Sequence, residues 1–208
     1  MPSNGTPTAG RDDTTAVSLA RVPTPLGDLN LAATADALIY CGFQPLDEVR
    51  GRLARSGLRE VDDPERRAVL ETTSAQLDAY LQGRIRSFTV PVDLRLATPF
   101  SRRTVSRLDA LVPYGSTATY GALARALDRP RAARAVGAAL GANPLCVVLP
   151  CHRIVGSTGA LTGYAGGVDA KKYLLALETR ERLGADANAP AEAPPTPGPR
   201  VSRRPRCA

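Results

Sequence analysis

The sequence predicts an α+β fold in two parts: a small antiparallel sheet with a helix, then a mostly helical half. Three observations carry this expectation. Short apolar runs with β-type alternation lie near the N-terminus, and apolar stripes at helical spacing fill the second half. Between them, at residues 93–99, the composition changes. A chain of 208 residues is long enough for each part to bury a core.

Residues 1–15 are rich in Pro, Thr, Gly and Asp and are expected to be disordered. Residues 16–94 form the first expected domain. Three apolar runs, 17–22, 28–33 and 37–43, read as strands, with Leu29 and Leu31 alternating with polar neighbours. Thr24-Pro25-Leu26-Gly27 supplies turn chemistry between the first two. Asp62-Asp63-Pro64-Glu65 starts a helix, with Asp63 as cap and Pro64 at the first helical position. Leu70, Leu77, Tyr80 and Leu81 give that helix its apolar stripe, and Gly83 stops it.

Residues 95–183 form the second expected domain. Val105, Leu108 and Leu111 make one helical stripe, ended by Pro113-Tyr114-Gly115. Tyr120, Leu123, Ala124 and Leu127 make another, broken by Asp128-Arg129-Pro130. A third helix is expected over 131–140, so two short helices meet at a tight break, as in a helix-turn-helix. Ala133, Val136 and Leu140 fall on its inward side, and Arg131, Arg134 and Ala138 on another. That second face suits close approach to a groove, though periodicity alone favours plain solvation. Residues 145–149 read as a short buried strand or extended run delivering Pro150-Cys151-His152-Arg153. Glycines then bracket a flexible segment over 156–167, placed like a loop that wraps a ligand. The last helix starts near Asp169, and Glu178 lies four residues after Leu174 on its buried side. A carboxylate there needs a partner, and His152 or an arginine could supply one. Residues 184–208 are Ala- and Pro-rich, then basic, and read as a disordered tail containing Cys207.

His152 is the chain's sole histidine and adjoins Cys151, so chemistry near neutral pH converges on this dipeptide. The four cysteines show no CxxC spacing and are read as free thiols, and no metal site is expected. No apolar run approaches a membrane span, and the first residues lack the features of a signal peptide; a soluble, cytoplasmic protein is expected. The net charge of +7 is almost wholly arginine, since Lys171 and Lys172 are the only lysines. A polyanionic partner such as nucleic acid fits this excess, and so does a general arginine bias.

Taken together, Tyr120, Arg134, Asn143, Pro150-Cys151-His152-Arg153, Tyr164 and Glu178 resemble the O6-alkylguanine-DNA alkyltransferase family. The likeness is strongest over residues 98–183. The family's PCHR[VI] signature stands at Pro150 to Ile154, with Ala132-Ala133-Arg134-Ala135-Val136-Gly137 at the family's spacing before it. The resemblance implies a ribonuclease H-like first domain and a winged-helix-like second one. It implies repair by direct reversal: one irreversible transfer of the alkyl group from O6-alkylguanine, and from O4-alkylthymine, to Cys151. His152 and Glu178 would serve as relay, with Tyr120 acting on the phosphate and departing base. Arg134 would enter the stack as the nucleotide flips out. Ala133, Ala135, Arg131, Ala138, Tyr120 and Asn143 would complete the DNA-binding set, and Asn143 would also tie the helix-turn-helix to the active-site turn. Ile154, Thr162, Gly163, Tyr164, Ala165 and Gly166 would form the base pocket. The implied partner is double-stranded DNA with an alkylated guanine, bound from the minor groove by a monomer, with no cofactor. Ala165 departs from relatives that offer a hydroxyl to the guanine oxygen.

Three rivals share these features in part, and one of them, a Cys–His hydrolase, would bring a carboxylate-rich substrate pocket that has no counterpart in the sequence. A non-catalytic lesion binder on the same fold commonly has tryptophan where this chain has Cys151. A helix-turn-helix regulator would not require the inward Glu178 or the glycine-rich lip.

Overall fold

The computed structural model describes residues 15–187; the disorder expected for 1–14 and for the tail from 188, Cys207 included, lies outside them. Strands β1 (Ala16–Val22), β2 (Leu29–Ala33) and β3 (Leu38–Gly42) pair antiparallel in sequence order. The β1–β2 turn uses the foreseen residues: the Gly27 N–H returns to the Thr24 carbonyl at 3.0 Å, with Gly27 at φ 100°. A fourth strand, β4 (Arg59–Glu60), adds parallel to β1 and makes the sheet mixed, in the order β3-β2-β1-β4. The expectation of an all-antiparallel sheet is corrected here. Between β3 and β4 runs α1 (Leu46–Arg55), and this helix turns the chain back so that β4 travels with β1.

Every residue of β2 and β3 is buried because both faces of the sheet are covered. Val49 and Leu53 of α1 pack with Ala32 and Ile39 on one face. Leu29, Leu31 and Leu38 meet Leu70 and Leu77 of α2 (Pro64–Leu81) on the other. The Asp63 carboxylate caps α2, accepting from Glu65 N at 2.9 Å and Arg66 N at 3.3 Å.

The second half contains α3 (Pro99–Val105), α4 (Leu108–Leu111), β5 (Ala118–Thr119), α5 (Tyr120–Ala126) and α6 (Ala133–Gly141). A single 3₁₀ turn, Cys151–Arg153, leads into β6 (Ile154–Val155), and α7 (Gly167–Ala187) closes the described chain. The stripe of Val105, Leu108 and Leu111 is divided between α3 and α4, and α5 and α6 form the helix pair. β6 pairs parallel with β5, so the turn carrying Cys151 is anchored next to the start of α5. No helix among the described residues is long and apolar enough to cross a membrane.

Two boundaries differ from expectation. Residues 145–148 are buried and Leu149 half-buried, but they coil into turns: Val148 N–H returns to the Cys146 carbonyl, Leu149 N–H to that of Leu145, and Val147 sits at φ 70°. A β-branched residue in that region is strained, and the surrounding turn holds it there. The last helix runs past Gly184 to Ala187, so residues 184–187, expected in the tail, are helical. One glycine costs a helix only about 1 kcal/mol, and Ala185 and Ala187 favour its continuation.

The two halves share a core. Leu145, Val147, Val148 and Leu174 pack into the same cluster as Leu29, Leu31 and Leu77. Main-chain bonds reinforce this: Cys41 N–H donates to the Pro144 carbonyl at 2.7 Å, and Cys146 N–H to that of Cys41 at 2.8 Å.

Candidate active site

The 3₁₀ turn buries three consecutive functional side chains, Cys151, His152 and Arg153, at 7%, 0% and 2% exposure. Glu178 comes to them from α7, itself fully buried. Its Oε1 meets His152 Nε2 at 2.6 Å, and its Oε2 accepts Gly115 N–H at 2.9 Å and Arg153 Nε at 3.0 Å. Arg153 continues to the Val112 carbonyl at 2.9 Å and to Asp109 at 2.8 Å. The Tyr80 hydroxyl, from α2, also donates to Glu178 Oε1.

Burial by itself would raise the Glu178 pKa. The bond from His152, the Arg153 charge and the Tyr80 hydroxyl outweigh it and bring it to about 2. The ionised carboxylate therefore accepts, and His152 Nε2 carries the hydrogen. The lone pair of the neutral ring then lies on Nδ1, which is buried and has no partner among the described residues. Burial also pushes the His152 pKa down, with Glu178 opposing, so the ring is neutral and basic at physiological pH.

Cys151 stands in a site that favours thiolate. Hydrogen bonding from the Cys146 thiol is the largest influence lowering its pKa; burial opposes, and Asn143 and the Lys171 charge assist. Asn143 Nδ2 lies 3.2 Å from Cys151 Sγ and also donates to the Leu149 carbonyl at 3.1 Å. Asn143 is buried at 6% exposure, because Gly141 and Ala142 end α6 and turn this side chain inward onto the active-site turn. Its tie to that turn is as expected.

The lip over 162–167 forms the outer wall. Thr162, Gly163 and Ala165 are exposed, whereas Tyr164 is half-buried, edge-on to His152 at 6.3 Å and to Phe43 at 5.8 Å. The Phe43 ring lies so close to Gly166 that a Cβ there would come within 2.6 Å of it, hence the glycine. The Ile154 side chain is fully buried beneath the lip. Tyr120 opens α5 and reaches the Thr162 carbonyl with its hydroxyl at 3.3 Å. Arg131, Arg134, Ala135 and Ala138 are exposed around α6, Ala133 is half-buried, and neither arginine makes an ion pair among the described residues.

Sequence reasoning did not single out Lys171, Cys146, Tyr80 or the role of Arg153. Lys171 is fully buried and donates to the Ile154 carbonyl at 2.6 Å and the Thr162 carbonyl at 3.0 Å, binding the lip to β6. Its signal was present: Lys171, Leu174 and Glu178 share one stripe of α7. Among the described residues no group of three or more His, Cys, Asp or Glu is placed to hold a metal ion.

A buried thiol with a histidine–carboxylate pair behind it, next to a helix-turn-helix, defines a class of DNA-directed proteins built around one nucleophilic cysteine. Residues 99–180 match the family model "6-O-methylguanine DNA methyltransferase, DNA binding domain", and residues 19–94 match "6-O-methylguanine DNA methyltransferase, ribonuclease-like domain". The inducible methylated-DNA–protein-cysteine methyltransferase of Bacillus subtilis is 40% identical over 156 residues, 72% of this chain and 83% of that protein. The Mycolicibacterium paratuberculosis protein of the same name is 45% identical, covering 66% of this chain and 92% of its own. The Mycobacterium tuberculosis OGT crystallised in complex with DNA superposes with a TM-score of 0.66 at 35% identity, over 80% of this chain and 94% of that one. The chain belongs to the 6-O-methylguanine DNA methyltransferase family.

Proposed function

We propose that this protein repairs DNA by moving the alkyl group of O6-alkylguanine onto Cys151 in a single, irreversible turnover. The observation that carries the reading is the buried thiol of Cys151 held by Asn143, beside a His152–Glu178 pair whose free ring nitrogen is poised as a base. The Cys151 proton passes to His152 Nδ1 through a bridging water as the sulfur attacks the alkyl carbon. The S–C bond forms while the C–O6 bond breaks, and its electron pair stays on the guanine. A proton restores the base, with Tyr120 donating a hydrogen bond to it. The resulting thioether is inert, so no step regenerates the thiol.

An alkylated base inside a duplex is out of reach of a buried thiol, so the nucleotide must turn out, at a cost of a few kcal/mol. Arg134, exposed on α6 and free of any ion pair among the described residues, fills the gap left in the stack. Ala133, Ala135 and Ala138 let the helix approach the minor groove closely, where sequence readout is weak. Thr162 to Gly166 receive the base, and O4-alkylthymine is the second substrate. The functional division falls between residues 94 and 95, and the protein acts in the cytoplasm as a monomer.

The test is mass spectrometry after incubation with duplex DNA carrying O6-methylguanine. One methyl mass on Cys151 per chain is expected, and none on Cys151→Ala, which still binds the DNA. More than one equivalent of repaired guanine per chain would sink the single-turnover mechanism.

A further inference from the structure

The relay draws one donor from outside the alkyltransferase half. Tyr80, on α2, is 98 residues before Glu178 in sequence and 1% exposed. Its hydroxyl donates to Glu178 Oε1, the oxygen that also holds His152 Nε2. Its ring is fixed by Phe88, with centroids 5.0 Å apart, and by Tyr114, edge-on at 5.9 Å. We propose that Tyr80 is a positioning residue for alkyl transfer, a donor from the N-terminal half that sets, through Glu178, how His152 is held and how readily it takes a proton. This rests on the alkyl-transfer reading above.

The physical argument concerns one oxygen shared by several donors. Oε1 accepts from Tyr80, from His152 and, at 3.2 Å, from Arg153 Nε. Each donor draws charge from the carboxylate, so each weakens the pull left for the others. Burial first, and then the Glu178 charge, raise the Tyr80 pKa far above neutrality, so the phenol is a donor across the working pH range. Without that hydroxyl, more of the carboxylate charge falls on the imidazole and the protonated ring is favoured. The other groups facing His152 stay in place: Arg153 and Lys171 oppose its charge, while Cys151 adjoins it and Tyr164 lies edge-on. Oε1 keeps His152 and Arg153, and Oε2 keeps Gly115 and Arg153, so Glu178 stays tethered by both oxygens and only its share of charge on the imidazole changes.

Tyr80→Phe tests this, since it removes the hydroxyl and preserves the ring packing. His152 is the sole histidine, so its imidazole gives an unambiguous NMR titration. The expected result is a rise in its pKa of roughly half a unit. The acid limb of the single-turnover rate with O6-methylguanine duplex should move up in pH with it, and the plateau should fall roughly two- to fivefold. Phe88→Leu serves as control: it loosens the same packing and lowers the melting temperature, yet should leave the histidine titration in place. An unmoved titration in Tyr80→Phe, or an equal movement in Phe88→Leu, would overturn the Tyr80 proposal alone. A wild-type chain that takes up no methyl group would overturn the functional reading, and Tyr80's part in it, whatever the histidine does.

Discussion

The two halves of this chain bury different things. Around the sheet, the interior is mostly hydrocarbon: Leu29, Leu31, Leu38, Leu70 and Leu77 are all at 3% exposure or less, with Arg66, Asn30 and Thr73 as buried polar exceptions. Around the 3₁₀ turn, it is a constellation of His152, Arg153, Lys171 and Glu178, buried just as deeply, with Cys151 at 7% exposure. Apolar burial stabilises at about 25 cal/mol per Å², whereas a buried charge is tolerated only when paired and hydrogen-bonded. Apolar packing in both halves supplies stability, and the second half adds a polar arrangement that this packing keeps in place. Such a contrast teaches that the chemistry sits where burial is least favourable.

Three changes would break or sharpen the contrast. The largest effect belongs to Glu178→Gln, which keeps the shape and removes the charge. Methyl transfer should fall by about 10² or more in single-turnover kinetics, because His152 loses the carboxylate that fixes its tautomer. Stability should also change with a definite sign. The Glu178 pKa is lowered from its ordinary 4.5 to about 2, so its contribution is complete above pH 4.5 and disappears as pH falls through 2. That contribution is on the order of 3 kcal/mol. Melting curves of the variant should therefore be lower than wild type at neutral pH and flatter across that acid window. A wild-type slope retained in the variant would place the acid sensitivity elsewhere.

Next comes Leu77→Ala, at the fully buried centre of the sheet-side core. Denaturant unfolding should show a loss of about 2–5 kcal/mol. The rate per folded molecule should stay within about twofold of wild type, since Leu77 shares a cluster with Tyr80 but supplies none of the hydrogen bonds of the relay. A much slower folded fraction would show that the two interiors are not separable.

The smallest effect is expected of Cys146→Ala. The Cys146 thiol is the largest influence holding the Cys151 pKa down, so its removal returns Cys151 toward the ordinary thiol range. Less thiolate is then present at neutral pH, and the rising limb of the rate moves to higher pH. Transfer at pH 7 should slow roughly three- to tenfold and recover in alkaline buffer. A pH-independent loss would mean that Cys146 acts through packing alone.

Much of this was legible in the sequence where the signal was local. Asp63 and Pro64 announced the start of α2, and the three strands followed from alternation. The inward face of α7 revealed that Glu178 needed a partner, and His152 is that partner. What stayed hidden depends on contacts between distant residues. Tyr80 reads as one more apolar position on its stripe, because nothing near it shows that its hydroxyl meets a carboxylate from α7. Residues 145–149 look like a strand by composition, yet the Val147 backbone at φ 70° folds them into a turn. α1 went unforeseen although Leu46, Val49 and Leu53 carry helical spacing, and β4 is too short to show any alternation. The family resemblance implied that Asn143 ties the helix-turn-helix to the active-site turn, but nothing local reveals the sulfur it approaches.

The pairing of Cys41 with the Pro144–Cys146 stretch has a further consequence, for the sequence changes this joint can absorb. It is made of main-chain groups, so it places no demand on side-chain identity beyond fit. Both amides that serve it, at 41 and 146, must keep their hydrogens, which excludes proline at those two positions. Other substitutions can accumulate on either side while the acceptor turn stays registered to the sheet edge. The alignment of the two halves is thus a property of the backbone.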